Sequence, residues 1–94
     1  MDIKESAKAM LSSDYKERFK AEYVQTKTRY EKLKAFNTKI EASFGSKCNP
    51  EGRDFGVEEP THDCPMDLLR EQQRIMGEYL HILELRAVFE KIEL

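Results

Sequence analysis

From Asp14 onward the chain spaces its apolar residues with the period of a helix packed lengthwise on another helix. Phe19, Tyr23, Thr26, Tyr30, Leu33, Asn37, Ile40 and Phe44 recur at alternating steps of four and three, the 3.5-residue repeat of helix-on-helix packing. Asp14 and Glu17 supply carboxylates for the free amides of a first turn, and Gly45 offers a left-handed stop. The pattern predicts a helix over residues 14–44. A second helix is predicted over residues 64–94. Pro65 suits the first helical position, which makes Cys64 the cap, and Asp67 adds a negative charge to the first turn. Between them, residues 45–63 hold Gly45, Pro50, Gly52, Gly56 and Pro60 and read as a loop, long for a compact domain. Residues 1–12 predict a short helix or a tail, with Ile3, Ala7 and Met10 on one side. The expected fold is all-α: a single domain over 1–94, built as a long antiparallel helical hairpin.

The second helix carries more apolar surface than one partner can cover. Leu68, Ile75, Ile82 and Phe89 lie seven apart in one unbroken stripe. Leu69, Met76 and Leu83, widened by Leu80, Ala87 and Leu94, make another. A hairpin buries one side of each helix, so the remaining stripe needs a further partner, most simply a second copy of the chain. Leu68, Ile75, Ile82 and Phe89 are therefore the expected oligomer interface. A four-helix-type dimer is the simplest assembly.

Composition narrows the class. Hydrophobic residues are 39% of the 94 and charged residues 36%, with no tryptophan; ordinary domains sit nearer ~45–50% and ~25%. A core this lean excludes a multidomain enzyme. No phosphate loop, nucleophile elbow, metalloprotease helix or dinucleotide fingerprint is present, and an enzyme is not expected. The longest apolar runs fall far short of the ~20 residues that cross a bilayer. The first residues lack the apolar run of a secretory signal, and two cysteines are not a disulfide framework. The expected compartment is the cytoplasm. The net charge of −2 hides an asymmetry: residues 1–47 sum to +4 and residues 48–94 to −6. Halves of opposite sign favour antiparallel folding, while the overall balance argues against binding duplex DNA.

Two groups of residues are candidates for chemistry. Gln72, Tyr79 and Arg86 form a polar row beside the apolar stripes of the second helix. Arg86 is charged at any physiological pH, so it needs a carboxylate or a ligand anion. An internal network with Glu90, Glu93 or a glutamate of the first helix satisfies it equally, as Gln72 with Asn37 would satisfy each other. On the first helix Lys20, Lys27 and Lys34 lie seven apart, near Arg29 and Arg18 and beside Tyr23 and Tyr30. That face pairs with the acidic second helix, or it holds phosphates and stacks a base. Arg70 and Arg74 would add to such an anion site. Cys48, His62 and Cys64, with Asp54 or Asp63, match no standard zinc spacing, so no metal and no cofactor are expected. His81 has no nucleophile at helical spacing.

The stretch ERFKAEYVQTKTRYEKLKAF from Glu17 to Phe36, and CPMDLLREQQRIMGEYLHILELRAVFEKIEL from Cys64 to Leu94, resemble a family of small phage and prophage proteins. These occur in phages of Gram-positive hosts and in crAss-like phages. The likeness rests on C-P-x-x-L-L-x-x-Q followed by M-x-x-Y-L-x-x-L-x-x-R-A. Relatives usually carry an aliphatic residue at the position of Thr26 and a shorter connecting loop. The resemblance implies a small viral accessory protein acting in the host cytoplasm against host defence. Two roles follow. One is an oligomeric sponge for a cyclic nucleotide or related messenger, using Arg86, Tyr79 and Gln72 or the Lys20, Lys27, Arg29 and Tyr23 face. The other is an inhibitor or adaptor docked on a host defence protein through a helix face or the acidic loop.

Overall fold

A computed structural model of the chain describes residues 1–94 as three helices and no strand. They are α1 (Ile3–Ala9), α2 (Tyr15–Lys47) and α3 (Met66–Glu90). The molecule is long and narrow, 57 × 26 × 20 Å. Helix α2 is the spine, and both α1 and α3 pack against it. Cross-helix bonds run in descending order, from Tyr15–Glu90 through Tyr23–Glu84 to Asn37–Gln73 and Arg70–Glu41, so α2 and α3 are antiparallel.

Helix α2 begins as expected. Asp14 stays extended and its Oδ1 accepts from the Lys16 amide at 3.0 Å, which satisfies one of the free donors of the first turn. Its end corrects the expectation at Gly45. The helix runs through that glycine to Lys47 and caps at Cys48, so the loop starts later than residue 45. A helical glycine costs only ~1 kcal/mol relative to alanine, and bonds from the loop to Ser46 hold the last turn. The left-handed glycines are Gly52 and Gly56, further along. Helix α3 starts at Met66 with Pro65 as its cap, one residue beyond the expected Cys64. It stops at Glu90 and does not run on to Leu94. Lys91 adopts φ 57° and ψ 45°, and the Ile92 amide returns to the Ala87 carbonyl at 2.9 Å. This reversal is a helix-ending motif that tucks the next apolar residue against the helix; Ile92 joins the core, while Leu94 is exposed.

The core is a single line of contact. Phe19 and Tyr23 of α2 meet Leu80, Leu83, Ala87 and Ile92, with Tyr30 packed alongside. Further along the seam, Ile40 and Asn37 are buried. The Asn37 amide nitrogen donates to the Leu69 carbonyl at 3.2 Å and to Gln73 at 2.8 Å, so its partner across the seam is Gln73 and not Gln72. Phe44, expected on the seam, is exposed, and Ser43 and Ser46 are buried instead. The reason is a change of partner: past Ile40 the helix faces the loop, whose backbone needs polar contacts. The Ser46 hydroxyl accepts from the amides of Phe55 at 3.0 Å and Val57 at 3.2 Å. Asn49 binds the amides of Glu51 and Arg53, so the loop is folded onto the end of α2.

Small side chains let α1 approach α2. Ser6 and Ala21 are fully buried, and Ala21 lies about 200° round the helix from Phe19, away from the α3 seam. The side of α1 formed by Ile3, Ala7 and Met10 faces solvent instead.

The stripe formed by Leu68, Ile75, Ile82 and Phe89 is uncovered, with 58%, 51%, 52% and 85% of each residue exposed. Of the other stripe the hairpin buries Leu80, Leu83 and Ala87 and half-buries Leu69 and Met76, while Leu94 stays outside. The opposed charges of the two halves do not close the hairpin. One ion pair joins α2 to α3, Arg70–Glu41 at 2.8 Å, and its signs are the reverse of the overall asymmetry. Tyrosine hydroxyls donate to glutamates across the seam instead: Tyr15 to Glu90, Tyr23 to Glu84 and Tyr79 to Glu22.

Two stability changes of opposite sign are expected in denaturant unfolding. Leu83→Ala, at a side chain only 1% exposed, should lower stability by about 2–5 kcal/mol. Lys91→Gly should raise it by about 1 kcal/mol, because a lysine pays steric strain in the left-handed region that glycine does not.

Candidate ligand-binding groove

The seven candidate binding residues separate onto the two flanks of the α2–α3 seam. Seven-residue spacing on both helices makes one flank a ladder. Tyr15, Glu22 and Arg29 of α2 run against Arg86, Tyr79 and Gln72 of α3. On the first rung, the Arg86 Nε donates to Glu90 at 3.0 Å, its terminal nitrogen donates to the Tyr15 hydroxyl, and its guanidinium lies 5.2 Å over the Phe19 ring. On the second rung, Tyr79 donates to Glu22. On the third, Arg29 and Gln72 are exposed and make no bond to each other. Glu90 raises the Arg86 pKa, and the bonds to Glu90 and Glu22 raise those of Tyr15 and Tyr79. Arg86 is thus an exposed member of an internal network, satisfied by its own chain.

The other flank is hollow. A cleft of about 700 Å³ is lined by Lys20, Tyr23, Val24, Lys27, Thr28, Glu31 and Lys32 of α2, with Met1, Glu93 and Leu94 on its rim. A recess of about 200 Å³ shares Tyr23, Lys27 and Glu31 with it and continues past Tyr30, Gly77, Leu80 and Glu84. A third hollow of about 330 Å³ shares Tyr30 and Gly77 and ends at Glu41, Arg70, Gln73 and Arg74. The three follow one another along this flank as a groove, each sharing lining residues with the next. Lys20, Tyr23 and Lys27 converge at one end, and Arg70 and Arg74 stand at the other. Arg29, Tyr79, Gln72 and Arg86 are on the opposite flank.

The Lys27 ammonium lies 5.7 Å from the Tyr23 ring centroid and makes no ion pair, while Lys20 has only a 3.8 Å contact with Glu17. The Tyr23 hydroxyl donates to Glu84 at 2.7 Å. Burial, and then that carboxylate, push its pKa up to about 12. The arginines at the far end are already matched: Arg70 to Glu41, and Arg74 to Glu71 and Glu78. The bond to Arg74 lowers the Glu71 pKa and raises that of Arg74. Tyr30 is the one tyrosine whose hydroxyl has no side-chain partner. Its ring fits over Gly77, where a Cβ would come within 3.2 Å of Tyr30 Cε1. Tyr30 was expected beside the lysines of the first helix, whereas sequence reasoning missed Gly77 as part of the site. A glycine in mid-helix, at a cost of ~1 kcal/mol against alanine, was the available signal.

The zinc grouping is not assembled. Cys48 and Cys64 are free and exposed, and no three His, Cys, Asp or Glu side chains come together to hold a metal. His62 is engaged by Glu59 at 2.8 Å and the Cys64 carbonyl at 2.6 Å, with its edge toward Phe36. The Glu59 bond, then the carbonyl, raise its pKa. No helix is long and apolar enough to cross a membrane.

The Sequestin family model matches residues 13–89, which include α2, the loop and nearly all of α3. The chain belongs to the Sequestin family. Among curated proteins and among solved structures there is no match. The Sequestin match takes in both flanks of the seam but not Met1, Glu93 or Leu94 at the rim of the cleft.

The raised Tyr23 pKa ties stability to alkaline pH. An acid whose folded pKa lies above its unfolded value of 10.0 stabilises fully below that value, and loses the contribution as pH rises toward about 12. Urea unfolding between pH 9 and 12 should therefore show falling stability in the native chain, and a shallower fall in Tyr23→Phe. Equal slopes would place the phenol outside the titration.

Proposed function

We propose that the chain is a small phage accessory protein that binds and holds a nucleotide-type immune signalling molecule without turnover, in the cytoplasm of the host cell. The Sequestin name describes sequestration, a binding role and not a catalytic one. The observation that carries the reading is the groove, where Lys27, which makes no ion pair, and Lys20, in loose contact with Glu17, stand beside aromatic rings. Its main cleft of about 700 Å³ falls within the ~300–1,000 Å³ of small-molecule sites. Lys20 and Lys27 supply donors for phosphate oxygens. The half-buried Tyr30 offers ring surface to a base, beside the nearly buried ring of Tyr23. Glu31 and Glu84 accept from sugar hydroxyls or an exocyclic amine. Cations alone suit any anion; cations interleaved with acceptors and rings suit a nucleotide.

The folded, acidic loop favours one competing role, an inhibitor docked on a host defence protein. Glu51, Asp54, Glu58, Glu59 and Asp63 all lie there, and all are exposed. Deleting residues 47–61 separates the two, since it removes the loop and spares Lys20, Tyr23 and Lys27.

Native mass spectrometry of protein purified gently from cells with nucleotide-signalling defence should find a few hundred daltons of added mass that denaturation releases. Titration calorimetry with cyclic dinucleotides, cyclic oligoadenylates and ADP-ribose should then give binding that Lys27→Glu weakens at least tenfold, about 1.4 kcal/mol, and that the loop deletion preserves. Binding indifferent to Lys27→Glu and Lys20→Glu would sink the groove as the site.

A further inference from the structure

The bare face of α3 has an identifiable occupant. Leu68, Ile75, Ile82 and Phe89 point to solvent along one line, about 30 Å from end to end at ~1.5 Å per residue. Single exposed apolar residues are ordinary, but a continuous strip of this length marks an interaction surface. We propose that a second copy of the chain covers it, with the two α3 helices antiparallel about a two-fold axis that passes close to Glu78 and Tyr79. Leu68 then packs on Phe89 of the second copy, and Ile75 on its Ile82.

Charge and shape choose this direction. In a parallel pair, equal residues face each other, so Glu71 and Arg86 would each meet their own kind. The two loops, with Glu51, Asp54, Glu58, Glu59 and Asp63, would also lie side by side. Antiparallel, Arg86 comes level with Glu71 of the second copy, and the loops go to opposite ends. The small and large ends of the stripe, Leu68 and Phe89, complement each other only in this register. A strip of this length buries on the order of 600 Å² per copy, at the lower end of the range for specific dimers. The pairing also gives the polar row a neighbour: Gln72, Tyr79 and Arg86 border the stripe, and the two Tyr79 residues approach each other near the axis.

This inference does not rest on the ligand reading, and its test uses no ligand. Sedimentation or light scattering on the purified chain should give twice the 11.1 kDa chain mass. Ile82→Glu and Phe89→Glu, each at an exposed residue, should give monomers with unchanged helical circular dichroism. In a Cys48→Ser, Cys64→Ser background, oxidising a mixture of Leu68→Cys and Phe89→Cys chains should yield the mixed disulfide dimer. Leu68→Cys alone should stay uncrosslinked. A monomeric native chain at tens of micromolar would overturn the proposal and leave the face to a different protein. A dimer that survives both glutamates would move the interface elsewhere, and self-crosslinking of Leu68→Cys would reverse the direction.

Discussion

Two helices lying side by side share one line of contact, and α3 carries more apolar side chain than that line accepts. Most other features follow from this constraint. The seam takes Leu80, Leu83 and Ala87 against Phe19 and Tyr23, while Leu68, Ile75, Ile82 and Phe89 stay outside. With so small a core, the ends of the helices are stabilised separately. Helix α1 closes over the far side of α2, the loop folds onto Ser46, and the left-handed turn at Lys91 returns Ile92 to the core. Each addition extends contact around a single spine.

The two flanks of the seam have diverged in character because of where the polar partners fall. On one, Arg86 joins Glu90 and Tyr15, and Tyr79 joins Glu22, so the polar groups satisfy one another. On the other, Gly77 leaves a gap that the Tyr30 ring enters, and the α2 lysines reach no carboxylate of α3. A closed ladder and an open groove thus arise from the same pair of helices. The family match spans both flanks, and the groove is the part with room for a molecule.

Much of the fold was legible in the sequence. The spacing from Phe19 to Ile40 fixes the buried face of α2, and the second stripe of α3 identifies its buried side. Helix ends were less legible, because their causes are tertiary. Gly45 is a plausible stop until the loop's bonds to Ser46 are known, and Lys91 carries no sign of left-handed geometry that a sequence displays. The grouping of site residues was half legible. Lys20, Tyr23 and Lys27 share a helix face that any wheel shows. Separating them from Arg29, Tyr79, Gln72 and Arg86 requires the rotation of α2 against α3, which Tyr23–Glu84 and Tyr79–Glu22 set from opposite flanks.

Three of the bonds that close the seam run from phenol to carboxylate, with tyrosine as the neutral donor. Dissolved ions screen attraction between full charges over about a Debye length, ~8 Å at physiological salt, and have less purchase on a bond with one uncharged partner. The lysines in the groove remain full charges facing solvent. Ionic strength therefore acts unequally on this molecule: it weakens the pull that the groove exerts on an anion and leaves the hairpin that forms the groove largely as it was.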